Sequence, residues 1–180
     1  MIRAVKAWAW PSAALVAIAF LLVFALHGER PEPGLGRFVA SGPMTRPLPD
    51  EVDGVEVALA GRSWQFTRAG TGPWQQRAGP AVAGEPGASI GRGLDLLHNA
   101  AIERTLTAAE VAQVDPAQFA LGEDGLFVSV SGAGQSFRIR FGGRNPLGLA
   151  RYARIGTAAG IALLPDYVAE PWLRLVGGMP

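Results

Sequence analysis

A chain of 180 residues holds one domain with an extra segment, and a formal net charge of +1 excludes the broad basic field of a nucleic-acid binder. The absence of cysteine excludes disulfides, thiolate catalysis and Cys-ligated metals, so a folded part outside the cytoplasm must be held by its core alone. Gly 24 and Pro 14 predict many turns and short elements.

From Ala7 to Leu26 no charged residue occurs. As a helix this run of about 20 residues spans roughly 30 Å, the thickness of a bilayer's hydrocarbon core. Trp8 and Trp10 stand at its start, where indoles favour the interface, and Arg3 and Lys6 precede it. The far flank mixes Glu29, Arg30, Glu32 and Arg37, so the positive-inside asymmetry places the N-terminus in the cytoplasm. Two other readings stand beside a retained anchor. A cleaved signal peptide fits the basic start but lacks a small-x-small exit at Phe24–Leu26. A buried soluble helix lacks a polar stripe. The expected arrangement is a single-pass protein of the bacterial inner membrane, with the lipid bilayer as one partner and the C-terminal domain in the periplasm.

Residues 1–27 thus form the expected anchor, 28–50 a spacer stiffened by Pro31, Pro33, Pro43, Pro47 and Pro49, and 51–180 the folded domain. Val52, Val55, Val57 and Leu59 lead through Ala60-Gly61-Arg62 into Trp64 and Phe66, which alternate with Ser63, Gln65 and Thr67. This is a β-hairpin pattern, with Trp74–Arg77 as a short third strand. Apolar spacing at Leu94, Leu97, Ala101 and Ile102 predicts a helix over Ile90–Arg104 capped by Ser89. Thr105–Thr107 reads as a short strand. Thr107 and Glu110 have capping-box spacing for a turn of helix, and Pro116–Phe119 is another turn.

A second hairpin follows. Phe127, Val128 and Val130 alternate with Ser129 and Ser131; Phe137, Ile139 and Phe141 alternate with Arg138 and Arg140. Gly142–Pro146 reads as a tight turn, Arg151–Ile155 and Ile161–Leu164 as a strand pair, and Tyr167–Val176 as a closing helix. Asp53–Arg68 echoes Asp124–Arg140, which allows two related halves; shared hairpin alternation accounts for the same likeness. The expected class is α+β, a mainly antiparallel β domain with two principal helices.

The phrases around Trp64 and Trp74, Leu121-Gly122, Phe141-Gly142, Asn145-Pro146, Tyr152-Ala-Arg154 and Tyr167–Leu175 resemble the domain of unknown function 4340 family over about Val52–Val176. The sequence departs from its Gly-Leu phrase by reading Ala-Leu-Gly at Ala120–Gly122. The resemblance implies a membrane-anchored, extracytoplasmic domain of the sort found among auxiliary proteins of gliding-type ABC transporters. It brings no catalytic residue with it.

Candidate chemistry is sparse. His27 and His98 are the two histidines and lie far apart, which leaves no His-rich metal site, and His98 on a helix reads as structural. The carboxylates Asp50-Glu51-x-Asp53, Glu123-Asp124 and Asp166 with Glu170 would serve a hydrolase if they converged in one cleft. Seven serines lie outside any G-x-S-x-G context, and Gly91-Arg-Gly93 before a helix is a weak anion-site signal without a nucleotide motif. Arg138, Arg140, Arg144, Arg151 and Arg154 form the densest basic set; they read either as a solvated sheet face or as a docking surface for an acidic partner or anionic headgroups. The expected role is a non-enzymatic accessory or assembly protein binding a partner of a membrane complex, with no cofactor, metal or nucleic acid. The alternative is a periplasmic binding module for a small anion or envelope polymer.

Overall fold

The computed structural model describes residues 41–177. The expected membrane anchor over Ala7–Leu26 lies outside them, as does most of the expected spacer. Among the described residues no helix is long and apolar enough to cross a membrane.

Among the described residues eight strands form one antiparallel sheet: β1 (Val52–Leu59), β2 (Arg62–Thr67), β3 (Gln75–Ala78), β4 (Arg104–Leu106), β5 (Phe127–Gly132), β6 (Gln135–Arg144), β7 (Ala150–Ile155) and β8 (Ile161–Pro165). Their order is β3-β2-β1-β5-β6-β7-β8-β4. The expected mainly antiparallel β class is thus observed. Three helices among the described residues accompany the sheet: α1 (Pro86–Asn99), the single turn α2 (Ala108–Val111) and α3 (Glu170–Leu175).

Both predicted hairpins form, and each closes on a two-residue turn with both residues left-handed: Ala60 and Gly61 (φ 51° and 71°), then Ala133 and Gly134 (φ 48° and 72°). That backbone twist matches flanking strands. β1 and β5 pair antiparallel at the centre, Val55 opposite Val130 and Val57 opposite Val128, so the hairpins extend outward in opposite directions. Aligned on their turns, Val55, Val57, Ala60, Gly61 and Ser63 repeat at constant spacing as Val128, Val130, Ala133, Gly134 and Ser136. The echo therefore lies in a slightly different register from Asp53–Arg68 over Asp124–Arg140, because each strand keeps its apolar positions on one face only if the turns coincide.

That apolar face carries the core. Val55, Val57, Trp64, Phe66, Val128, Val130, Ile139 and Phe141 are buried in one cluster with Ile90, Leu94 and Leu97 of α1 and Trp172, Leu173 and Leu175 of α3. Helix α1 starts ahead of the expected Ile90 and stops before Arg104. Pro86 is tolerated in its first turn, where no amide partner is needed, and its N-cap is Glu85 rather than Ser89. Gly91 and Gly93 lie inside the helix, within the span predicted from apolar spacing and not before it as the anion-site reading required. A Cβ on Gly93 would sit 2.5 Å from the Trp172 ring, so the glycine permits close packing of α1 on α3. The closing helix is shorter than expected: a 3-10 turn, Asp166–Val168, precedes α3.

The packed region also begins ahead of Glu51. Met44 is fully buried, the Gly42 and Met44 amides donate to the carbonyls of His98 and Leu97, and His98 Nδ1 lies 2.9 Å from the Met44 carbonyl. His98 is thus a strut between this segment and α1.

The predicted capping box at Thr107 and Glu110 is present. The Thr107 amide, then Arg104, hold the Glu110 carboxyl below the ordinary glutamate range; the Leu48 amide, followed by Arg46, does the same for Glu51. A carboxyl with a depressed folded-state pKa contributes stability above its unfolded value and loses it as pH falls through the folded one. The thermal midpoint should therefore drop on acidification below about pH 4.5. The paired substitutions Glu51→Gln and Glu110→Gln should flatten that acid limb, as followed by circular dichroism. An acid limb unchanged in the double variant would show that these two groups do not produce it.

Candidate functional site

The sheet face opposite α1 and α3 is the candidate surface. Pairing register sets its side chains in transverse rows. Gln65, Glu56, Ser129 and Arg138 stand directly opposite one another across β2, β1, β5 and β6. The next row runs Ser63, Ala58, Phe127, Arg140 and Arg154 across β2, β1, β5, β6 and β7. The row on the other side is Thr67, Gly54, Ser131 and Ser136. A shallow hollow of about 180 Å³ forms among Gly54, Glu56, Gln65, Thr67, Ser129 and Ser131. Small side chains create it, since a Cβ on Gly54 would strike Ser131 Oγ.

On its other half this face carries a partial cover. The 3-10 turn Pro116–Phe119 lies against β6, with Phe119 edge-on to Tyr152 at 5.1 Å between centroids. Gly142 makes the approach possible, because a Cβ there would run into the Phe119 carbonyl. Gly142 and Gly143 belong to β6, not to the turn expected over Gly142–Pro146; β6 runs through a bulge to Arg144, and the turn itself is Asn145–Leu149. Between this cover and β7 opens a cleft of about 490 Å³, walled by Val111, Pro116, Ala117, Phe119, Ala120, Leu121 and Gly122, with Arg154 at its rim.

The five arginines do not act as one set. Arg144 and Arg151 stand opposite each other across β6 and β7 and converge on Asp166: Arg151 Nε donates to Oδ1 and Arg144 Nε to Oδ2, both at 2.8 Å. Arg140 donates to the carbonyls of Gly122 and Glu123 and lies over the Phe127 ring. These three hold the fold together. Arg138 and Arg154 are exposed and have no hydrogen-bond or ion-pair partner among the described residues. Arg154 lies directly opposite Arg140, one strand position along the same face from Arg138, which puts the two free guanidiniums on a diagonal.

No family model, curated protein or solved structure matches this chain.

The carboxylates disperse. Glu51 caps the Leu48 amide and pairs with Arg46, Asp166 serves the arginine clamp, and Glu170 pairs with Arg174 one helical turn on. Among the described residues no group of three or more His, Asp or Glu is placed to hold a metal ion. Sequence reasoning missed the apolar cleft beside Arg154. Its signal was the Pro116–Phe119 turn followed by Ala120 and Leu121, but nothing local says that this segment folds back over β6.

Proposed function

We propose that this chain is a membrane-tethered accessory protein of the cell envelope whose folded domain docks a partner protein and catalyses nothing itself. The observation that carries this reading is the pairing of two exposed guanidiniums without partners among the described residues, Arg138 and Arg154, with an apolar cleft beside the partial cover on the sheet face opposite α1 and α3. Such a surface suits an acidic segment of a partner that also carries an apolar side chain for the cleft, the charges giving orientation and the apolar contact giving affinity. The charge-free run Ala7–Leu26 supports tethering, and the resemblance to the domain of unknown function 4340 family fits an auxiliary role at a membrane. The repeated hairpin motif supports a domain of two related halves, of which the second bears the docking face.

The test is co-purification of the intact chain from mild detergent, followed by the double substitution Arg138→Glu and Arg154→Glu. Two exposed contacts at roughly 1 kcal/mol each, reversed in sign, should cut capture of the partner by about tenfold or more. Arg92→Glu, exposed on α1, should leave capture unchanged. A chain that always purifies alone, or capture indifferent to the double reversal, would overturn the proposal. Saturable binding of a small anion at the same arginines without any protein would replace it with the binding-module reading.

A further inference from the structure

Among the described residues three large apolar side chains are markedly exposed: Leu147 at 78%, Leu149 at 71% and Tyr167 at 48%. They are not scattered. Leu147 and Leu149 lie in the β6–β7 turn, and the Leu149 carbonyl accepts the amide of Asp166, the residue before Tyr167. The two leucines are also held out. Pro146 follows Asn145 in a turn closed by the Gly148 amide on the Asn145 carbonyl (2.8 Å). Asn145 Oδ1 accepts the amides of Leu149 and Ala150 (3.1 Å each), and the Asn145 amide donates to Ala150 (2.7 Å). A loosely held loop would fold its leucines onto the nearest apolar surface; a turn braced at both ends keeps them in solvent. Beneath the tip, Arg144 and Arg151 share one counter-charge, Asp166, so its base carries a net positive charge.

We infer that this tip is a lipid-contacting element, in which Leu147 and Leu149 enter the headgroup region of an anionic bilayer while Tyr167 and Arg144 lie at its surface. Two observations select lipid over protein. Three side chains cover at most a few hundred Å², against about 800 Å² per partner in a stable protein contact. A positive base beneath protruding leucines with a neighbouring tyrosine matches an anionic interface, where aromatic rings settle at headgroup level and arginines are drawn to the surface. This element is separate from the Arg138–Arg154 face, so it and the docking of a partner there can fail independently, while it rests on the tethering proposed above. It orients the domain rather than anchoring it, because contacts this small hold only what a second attachment already keeps near.

The chain contains no cysteine, so a single introduced thiol carries a probe uniquely. Full-length Leu147→Cys and Leu149→Cys, labelled with the environment-sensitive fluorophore NBD, are to be reconstituted with phosphatidylcholine vesicles with and without phosphatidylglycerol. The control is Gln65→Cys on the open sheet face. Expected are a blue shift and protection from aqueous iodide at both tip positions, larger with phosphatidylglycerol, and neither at position 65. Emission at the tip identical to that at position 65 would overturn the inference. So would a shift that appears only when membrane proteins are added, which would assign the tip to a protein partner. Thermal unfolding of each labelled variant verifies that the fold is retained.

Discussion

Replacing Trp172 by alanine should destabilise the domain by about 3–5 kcal/mol, the range for truncating a buried aromatic side chain. The ring is fully buried in the main core and packs on α1 at Gly93. Trp172→Phe should cost much less, about 1–2 kcal/mol, because phenylalanine keeps most of the buried ring and Nε1 makes no hydrogen bond among the described residues. The interaction has a further signature. The indole atoms nearest a Cβ on Gly93 are Cε2, Cζ2 and Cη2, those of the benzo ring. Gly93→Ala should therefore destabilise the Trp172 protein by overpacking, about 1–3 kcal/mol. In the Trp172→Phe background the obstruction is gone and alanine's helix propensity, worth roughly 1 kcal/mol over glycine, should dominate. A urea-unfolding double-mutant cycle reads this reversal of sign directly. Equal costs for phenylalanine and alanine at position 172 would overturn this reading, because phenylalanine retains most of the buried aromatic bulk.

Local alternation made most of the strands legible. Wherever apolar and polar residues alternated on both sides of a short turn, as in Val55–Phe66 and Val128–Ile139, the hairpin formed, though each turn is one residue shorter than the three expected, with Arg62 and Gly132 already paired in the strands. The capping box at Thr107 and Glu110 was equally local. What escaped was set by contacts distant in sequence. The β1–β5 pairing and the placement of β4 beside β8, at the far edge from β3, follow from how two half-sheets join. Gly91 and Gly93 suggest a turn when read alone, against the apolar spacing that already placed them in a helix; position 93 is glycine because Trp172 occupies the space of a side chain there. Gly142 and Gly143 look like a turn for the same reason, and they belong to a strand that another backbone approaches.

The candidate site was legible only in part. Alternation correctly placed Arg138 and Arg140 on the face opposite Phe137, Ile139 and Phe141. It does not distinguish a free guanidinium from one already in use. Arg140 is occupied by carbonyls at Gly122 and Glu123, and Arg144 and Arg151 by Asp166, partners that no spacing rule identifies. The five arginines therefore divide into two available charges and three braces. The same uncertainty hid the cleft beside Arg154, whose wall arrives from the Pro116–Gly122 segment.

That division has a measurable consequence at Asp166. Its side chain is 15% exposed and Arg151 is 16% exposed, whereas Arg144 is 45% exposed. Asp166→Asn preserves shape but removes the charge and turns one of the two acceptors into an NH2 donor facing a guanidinium, so the half-buried Arg151 loses its counter-charge and keeps the Gly142 carbonyl. Breaking a fully buried pair costs about 3–5 kcal/mol; the partial exposure here reduces the expectation to roughly 2–3 kcal/mol. Arg144→Ala should cost under about 1 kcal/mol, since its exposed guanidinium is screened by solvent. The coupling energy of Asp166 with Arg151 should thus exceed that with Arg144, and the Arg144 share alone should fade with added salt. The loss should also be felt at the β6–β7 turn, whose Leu149 carbonyl is held by the Asp166 amide. Hydrogen exchange at Leu149 and Ala150 should accelerate in Asp166→Asn more than exchange in β1 or β5, because the clamp ties the two strand ends that carry the turn. Uniform acceleration across the sheet would instead make Asp166 a contributor to global stability with no particular hold on that corner.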